Sequence, residues 1–175
     1  VVSYTMQDEH GAQSSSTLTI TVTGTNDGPV ANADLGGAGE NETKAFNVIG
    51  NDTDVDDGHV LSLFSIDGVT VNGNPASVPE AGAFSIVGGQ VQFTPGTAFD
   101  HLAEGASASV VVSYTVKDEH GAPSSSTLTL TVNGTNDTPV AVADTGSAGE
   151  NQNKAFDVVV NDTDADDGHS LSLFS

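Results

Sequence analysis

Two stretches of the chain crowd more carboxylates together than a turn requires. Asn51-Asp52-Thr53-Asp54-Val55-Asp56-Asp57-Gly58 holds four aspartates in six positions and no cation, and it returns as Asn161-Asp162-Thr163-Asp164-Ala165-Asp166-Asp167-Gly168. Like charges this close repel, so folding them together costs free energy unless a cation intervenes. Hard oxygen ligands at alternating positions, with a glycine for a tight turn, suit calcium at roughly 6–8 coordination better than magnesium or zinc. The pattern is not an EF-hand. Counted from Asp52, the twelfth residue is Leu63 where a bidentate glutamate is required, and Gly58 falls one residue late. The competing reading is a solvated acidic turn that keeps the chain soluble by charge.

Other chemistry finds less support. His10, His59, His101, His120 and His169 suggest zinc only in isolation, because the pairs His59/His169 and His10/His120 each follow an acidic loop, where a solvated or loop-capping role is expected. The serine runs 14–16 and 124–126 open strands and lack a nucleophile-elbow motif. A glycosidase pair needs a cleft that raises one carboxyl's pKa, and these acids sit in polar turns. The Asn-x-Thr sequences at Asn41, Asn51, Asn133, Asn136 and Asn161 are incidental to Asn- and Thr-rich turns.

Composition narrows the partners. The 175 residues carry Asp+Glu 24 against Lys+Arg 3, a formal net charge of -21. With only Lys44, Lys117 and Lys154 as permanent cations, no basic stripe exists to neutralise phosphates, which excludes nucleic acid and anionic membrane surfaces. No apolar run approaches the roughly 18 residues of a spanning helix, so direct membrane insertion is not expected. Cys 0 removes disulfides, thiolate metal sites and cysteine nucleophiles. The opening Val1-Val2-Ser3-Tyr4-Thr5 carries no secretion signal, and the chain reads as a piece of something longer.

A repeat sets the organisation. Val1-Val2-Ser3-Tyr4-Thr5 returns 110 residues later as Val111-Val112-Ser113-Tyr114-Thr115, and 49 of the 65 aligned pairs through Ser65/Ser175 are identical. A unit this long is a whole domain, not a solenoid repeat. The Gly-Thr-Asn-Asp-x-Pro-Val segments at 24–30 and 134–140 mark the boundaries, since each follows a strand and lacks hydrophobic periodicity. This divides the chain into the C-terminal strands of one repeat (1–24), one complete repeat (25–134) and the N-terminal part of a third (135–175). The partners expected first are therefore neighbouring repeats of the same chain.

Within the complete repeat the strand signals are regular. Leu128, Leu130 and Val132 alternate with threonines, and Val110, Val112, Tyr114 and Val116 form a second period-2 stripe. Residues 84–87 and 90–93 flank Gly88-Gly89, a hairpin signal of the primed turn type. Further runs lie at 30–35, 45–49, 61–66 and 69–71, while 97–103 supports at most one brief helical turn. About eight short strands in roughly 100 residues predict an all-β fold of tandem immunoglobulin-like Greek-key sandwiches.

That topology assigns the acids to two poles. The strands leading into 51–58 and 118–121 run in the same direction, so Asp52, Asp54, Asp56 and Asp57 meet Asp118 and Glu119 beside the linker carrying Asn26 and Asp27. At the opposite pole Glu40, Asp100 and Glu104 face the next linker, with Asn136 and Asp137, and there meet Asp162, Asp164, Asp166 and Asp167 of the following repeat. All of these are candidate calcium ligands.

Gly-Thr-Asn-Asp-x-Pro-Val after a Thr/Val strand, preceded by Tyr-Thr-Val-Lys-Asp-Glu-His-Gly, resembles the VCBS and cadherin-like repeats of giant bacterial RTX-type surface adhesins. Asn-Asp-Thr-Asp-x-Asp-Asp-Gly-His after Gly-Glu-Asn and a Phe-containing strand looks like the same group. The layout is also similar to animal cadherins, whose linker Asn-Asp motif and flanking acidic loops bind calcium between domains. The resemblance implies type I secretion, an extracellular or cell-surface location, and a non-enzymatic extender or biofilm-matrix filament in which other copies are possible partners. Two alternatives come from other classes. An Ig-like carbohydrate-binding module is disfavoured by aromatic content of 5% with Trp 0, and a polysaccharide-cleaving enzyme by the polar setting of its acids.

Overall fold

The alternation of apolar and small polar residues becomes ten strands in a computed structural model that describes residues 1–77 and 80–174; among the described residues there is no helix. The strands are β1 (Val2–Gln7), β2 (Gln13–Leu18), β3 (Asp34–Gly39), β4 (Lys44–Phe46), β5 (Ser62–Val71), β6 (Asn74–Pro75), β7 (Ala83–Val87), β8 (Gln90–Thr94), β9 (Ser107–Lys117) and β10 (Pro123–Asn133). A five-stranded sheet ordered β3-β10-β9-β5-β6 faces a three-stranded sheet ordered β4-β8-β7, and β1–β2 stands as a separate hairpin. The immunoglobulin-like sandwich expected from the strand spacing is thus the architecture observed.

The two period-2 stripes supply most of the core. Val110, Val112, Tyr114 and Val116 from β9 and Leu128, Leu130 and Val132 from β10 are all buried. They pack on Val91, Phe93 and Val48 from the opposite side, with Phe99 and Leu102 from the turn before β9 closing one end. Phe93 stacks on Phe84 at 5.0 Å and meets Phe99 edge-on at 6.1 Å. Full burial of each such side chain contributes about 1.5–3 kcal/mol, so these strands anchor everything attached to their ends.

The Gly88-Gly89 hairpin forms as expected, both glycines taking positive φ, 58° and 77°. Other runs resolve differently. The opening strand is β3, starting at Asp34 and not Val30; Val30 instead makes an isolated bridge to Thr53. The run 45–49 shortens to β4, and 61–66 and 69–71 fuse into one strand, β5, whose register against β9 slips twice, at Phe64 and Asp67. Residues 97–103 are turns.

The flanking segments show the same local geometry without the same packing. Tyr4 is 48% exposed where Tyr114 is 0% exposed, and Val2, Leu18 and Ile20 are likewise exposed. Within 135–174 the described residues hold turns and the bridge Val140↔Thr163, the counterpart of Val30↔Thr53.

Candidate functional site

Acidic segments distant in sequence meet at each passage from one repeat to the next. At the first, the Asn26 side-chain amide donates to Asp118 Oδ2, the Asp27 N–H to Asp56 Oδ2 and the Val60 N–H to Glu119 Oε2, each at 2.8 Å. The linker, the acidic loop and the β9–β10 turn thus converge, as the sandwich topology requires. Asp57 is exposed on the rim and shares a cleft with Asn26, Asp56, Glu119 and His120.

Local chemistry shapes both turns. Asp118 Oδ1 accepts the N–H groups of His120 and Ala122 at 2.9 and 2.8 Å, and Gly121 takes a φ of 89° that closes the turn. In 51–58 the Asp54 carboxylate accepts the Asp56 N–H, and the His59 ring nitrogen caps the Asp56 carbonyl at 2.8 Å. Asp164, Asp166 and His169 repeat this arrangement. Loop capping is therefore the part these two histidines play.

The second junction draws on both repeats. Glu40 follows β3 and is wholly buried, where its Oε1 accepts the Thr135 N–H at 2.7 Å and also the Thr135 hydroxyl. The Asp137 N–H donates to Asp166 Oδ2 at 3.0 Å, and the Asp167 N–H to the His101 carbonyl at 2.9 Å, a backbone bond between repeats. Asp100, Asp137 and Asp164 line one open cleft. Asn136 is exposed, its amide donating to the Asp137 carbonyl. Glu104 lies exposed in the turn before β9, outside the acids grouped around Asp137.

Asp52 and Asp162 turn back into their own repeats. Asp52 Oδ1 accepts the Asn32 N–H at 2.8 Å and Asp162 Oδ1 the Val142 N–H at 2.7 Å. The adjacent bridges Val30↔Thr53 and Val140↔Thr163 bring each aspartate alongside the chain leaving the linker.

The electrostatics differ between groups. Burial, then the charges of Glu40, Asp100, Asp166 and Asp164, hold the Asp137 carboxyl above the usual aspartate range. Asp52 is also raised, chiefly by burial and against the Asn32 hydrogen bond. Asp118 is lowered by the Asn26 amide first and then by backbone N–H groups, and Glu119 by the Val60 N–H. Among the described residues, five buried carboxylate oxygens have no hydrogen-bond partner: Glu40 Oε2, Asp137 Oδ2 and Asp166 Oδ1 at the second junction, and Asp52 Oδ2 and Asp54 Oδ2 near the first. Orphaned anionic oxygens are costly, and a hard cation is the partner that suits them. Among the described residues no three His, Cys, Asp or Glu side chains stand in chelating positions.

Sequence reasoning passed over Thr135 and the His101 carbonyl. Thr135 sits at a fixed place in the repeated Gly-Thr-Asn-Asp motif, which was the available signal; a backbone carbonyl leaves none. Among the described residues no helix is long and apolar enough to cross a membrane.

A family model of the bacterial cadherin-like domain matches residues 26–134, and no curated protein matches the chain. The matched span contains both sheets of the sandwich, the acidic loop 51–58 and the β9–β10 turn, and ends just before the second linker's Asn136 and Asp137; the chain belongs to the bacterial cadherin-like domain family.

Proposed function

We propose that the chain is a calcium-stiffened extender of a secreted bacterial adhesin or extracellular matrix filament, of the VCBS and RTX-adhesin kind. The observation that carries this reading is the meeting at one junction of buried, unpartnered carboxylate oxygens from Glu40, Asp137 and Asp166, contributed by one repeat, the linker and the next repeat. The fold family supplies a structural module. Repetition supplies reach.

At the second junction Glu40, Asp100, Asn136, Asp137, Asp164 and Asp166 would hold calcium; at the first, Asn26, Asp27, Asp54, Asp56, Asp57, Asp118 and Glu119 would. Bound calcium supplies charge neutralisation and a set of oxygen-directed bonds. The residues do the rest: Glu40 anchors Thr135 to the end of β3, and Asp166 holds the Asp137 backbone, so the linker has a fixed seat on each side. A linker seated at both ends sets an angle between repeats. Mixed carboxylate and amide donors in exposed loops suit the millimolar calcium outside cells, which agrees with a surface location reached by type I secretion and with neighbouring repeats, and other copies in a matrix, as partners.

Calcium titration followed by calorimetry, thermal melting and solution scattering tests the reading. At calcium about a hundredfold above the dissociation constant, the linkage gain is roughly 2.7 kcal/mol per site. Melting should rise and the scattering envelope should extend, with magnesium a poor substitute because it resists dehydration. Identical melting and scattering in excess chelator and in millimolar calcium would reduce the acidic loops to solubilising turns.

A further inference from the structure

Tyr114 sits in the middle of the β9 stripe and is 0% exposed, so its ring packs as its valine neighbours do. Unlike them it carries an O–H group, and a buried hydroxyl needs a partner. Its oxygen lies 2.7 Å from Asp34 Oδ2, 2.9 Å from the Asn32 carbonyl and 3.2 Å from the Val48 carbonyl. One proton thus faces three acceptors, with the charged one nearest. Burial first, and then the bond to Asp34, push the phenol's pKa upward, which keeps it a donor.

The three acceptors lie on two segments. Asn32 and Asp34 belong to the stretch from the linker into the start of β3; Val48 belongs to the stretch from β4 into the acidic loop. The same two stretches are laced together beyond the tyrosine. Val30 and Thr53 exchange backbone bonds of 2.7 and 3.1 Å. The Asn32 N–H donates to Asp52, the Asn32 amide to the Asn51 carbonyl, and the Asn51 amide to the Ala33 carbonyl. Four residues beyond Tyr114, just past the end of β9, lies Asp118, which takes the Asn26 amide. Linker, acidic loop and β9–β10 turn are the three sources of oxygen at the first junction, and the Tyr114 hydroxyl stands where their roots meet.

We infer that Tyr114 is a positioning residue for the first-junction site: its hydroxyl, bonded to Asp34, Asn32 and Val48, sets the linker and the acidic loop in register on β9, while touching no ligand oxygen. The inference rests on the calcium reading above. A ring without the hydroxyl fills the same space, so the core does not require the O–H; the geometry of the pole does.

The test uses the full chain in an Asp164→Asn, Asp166→Asn background, which silences the second junction and leaves calorimetric heat from the first. Tyr114→Phe removes only the hydroxyl. Asp34→Ala removes its nearest acceptor without touching the aromatic core, and reports even where Tyr114→Phe folds poorly. Each should weaken calcium binding about tenfold, as expected for one buried hydrogen bond to a charged group, and the gap in melting temperature between calcium and chelator should narrow. The double variant should bind no more weakly than the worse single one, because both remove the same bond. Equal affinity in parent and variants, with melting lowered by the same amount in calcium and in chelator, would make the hydroxyl merely structural and overturn the inference while leaving the calcium reading intact. A background chain that binds no calcium would remove the reading itself, and the inference with it.

Discussion

Replacing Gly134 by alanine tests how the linker is seated. Gly134 is buried where β10 gives way to the linker, and its N–H donates to the Ala106 carbonyl at 3.0 Å. A Cβ built there would lie 2.0 Å from the Leu102 carbonyl oxygen and 2.6 Å from that of Ala103. Its φ lies outside the left-handed region, so space alone dictates the residue. The obstructing atoms are backbone, so the clash is relieved only by moving the linker or the 102–103 turn by more than an ångström. Overpacking of this kind costs about 1–3 kcal/mol. For a unit of about 100 residues that lowers the melting temperature by roughly 5–15 °C. Thr135 follows directly, so its two bonds to Glu40 should loosen as well, and calcium affinity at the second junction should fall together with stability. Gly24 occupies the same place in the motif but has nothing within 4 Å. Gly24→Ala is therefore the control and should change neither quantity. Thermal melting of both variants, with calorimetric calcium titration, decides the matter: a Gly134→Ala chain melting within about a degree of its parent would refute the packing argument.

Glu40→Gln keeps an acceptor for Thr135 and removes the charge; it should lower melting in millimolar calcium by up to the roughly 2.7 kcal/mol linkage term yet leave it equal or higher in chelator, and equal losses in both would count against an ionic role. In chelator Asp137 and Asp118 should titrate with opposite sign. The raised carboxyl of Asp137 means that the folded chain holds a proton the unfolded chain releases, so this group favours folding as pH falls through the raised value and opposes it above. The lowered carboxyl of Asp118 contributes stability above the ordinary aspartate value, lost as pH falls through its depressed one; carboxyl NMR titration placing Asp137 below Asp118 would overturn at least one of the two assignments. Phe93→Ala, which empties the space between Phe84 and Phe99, should cost about 3–5 kcal/mol in denaturant unfolding, and a loss below 1 kcal/mol would mean the core is centred elsewhere.

Legibility followed the physics of each element. β9 and β10 read directly from the sequence because one face is buried and the other wet, which stamps a period of two on the residues. β3 did not, because Leu35-Gly36-Gly37-Ala38-Gly39 has no apolar alternation; it is an edge strand held by β10, and Gly36 is required where a Cβ would strike Phe46 and Leu130. The stretch Val30-Ala31-Asn32-Ala33 before it drew the expectation four residues early, whereas its polar groups are used in lacing the acidic loop. β6 went unnoticed although Asn72-Gly73 is a strong turn signal; Asn72 takes the positive φ, 48°, that such a hairpin needs. The meeting of acids at the poles followed from topology alone. Which oxygens turn inward did not: Asp52 and Asp162 are aimed by bridges made elsewhere, and the Tyr114 hydroxyl hides inside a stripe that reads as plain core.

The pairing of β3 with β10 bears on how such a chain would carry tension. These strands are the first and last of the repeat and run parallel through six pairs, from Leu128↔Asp34 to Asn133↔Gly39. The chain comes in ahead of β3 and leaves beyond β10, so a pull on the two ends drags the strands past each other along their own axes. The ladder is then sheared, with its bonds loaded side by side, instead of peeled open one at a time as in a hairpin pulled from its open end. The repeat meets a stretching force with its whole terminal ladder before the sandwich behind it bears any load.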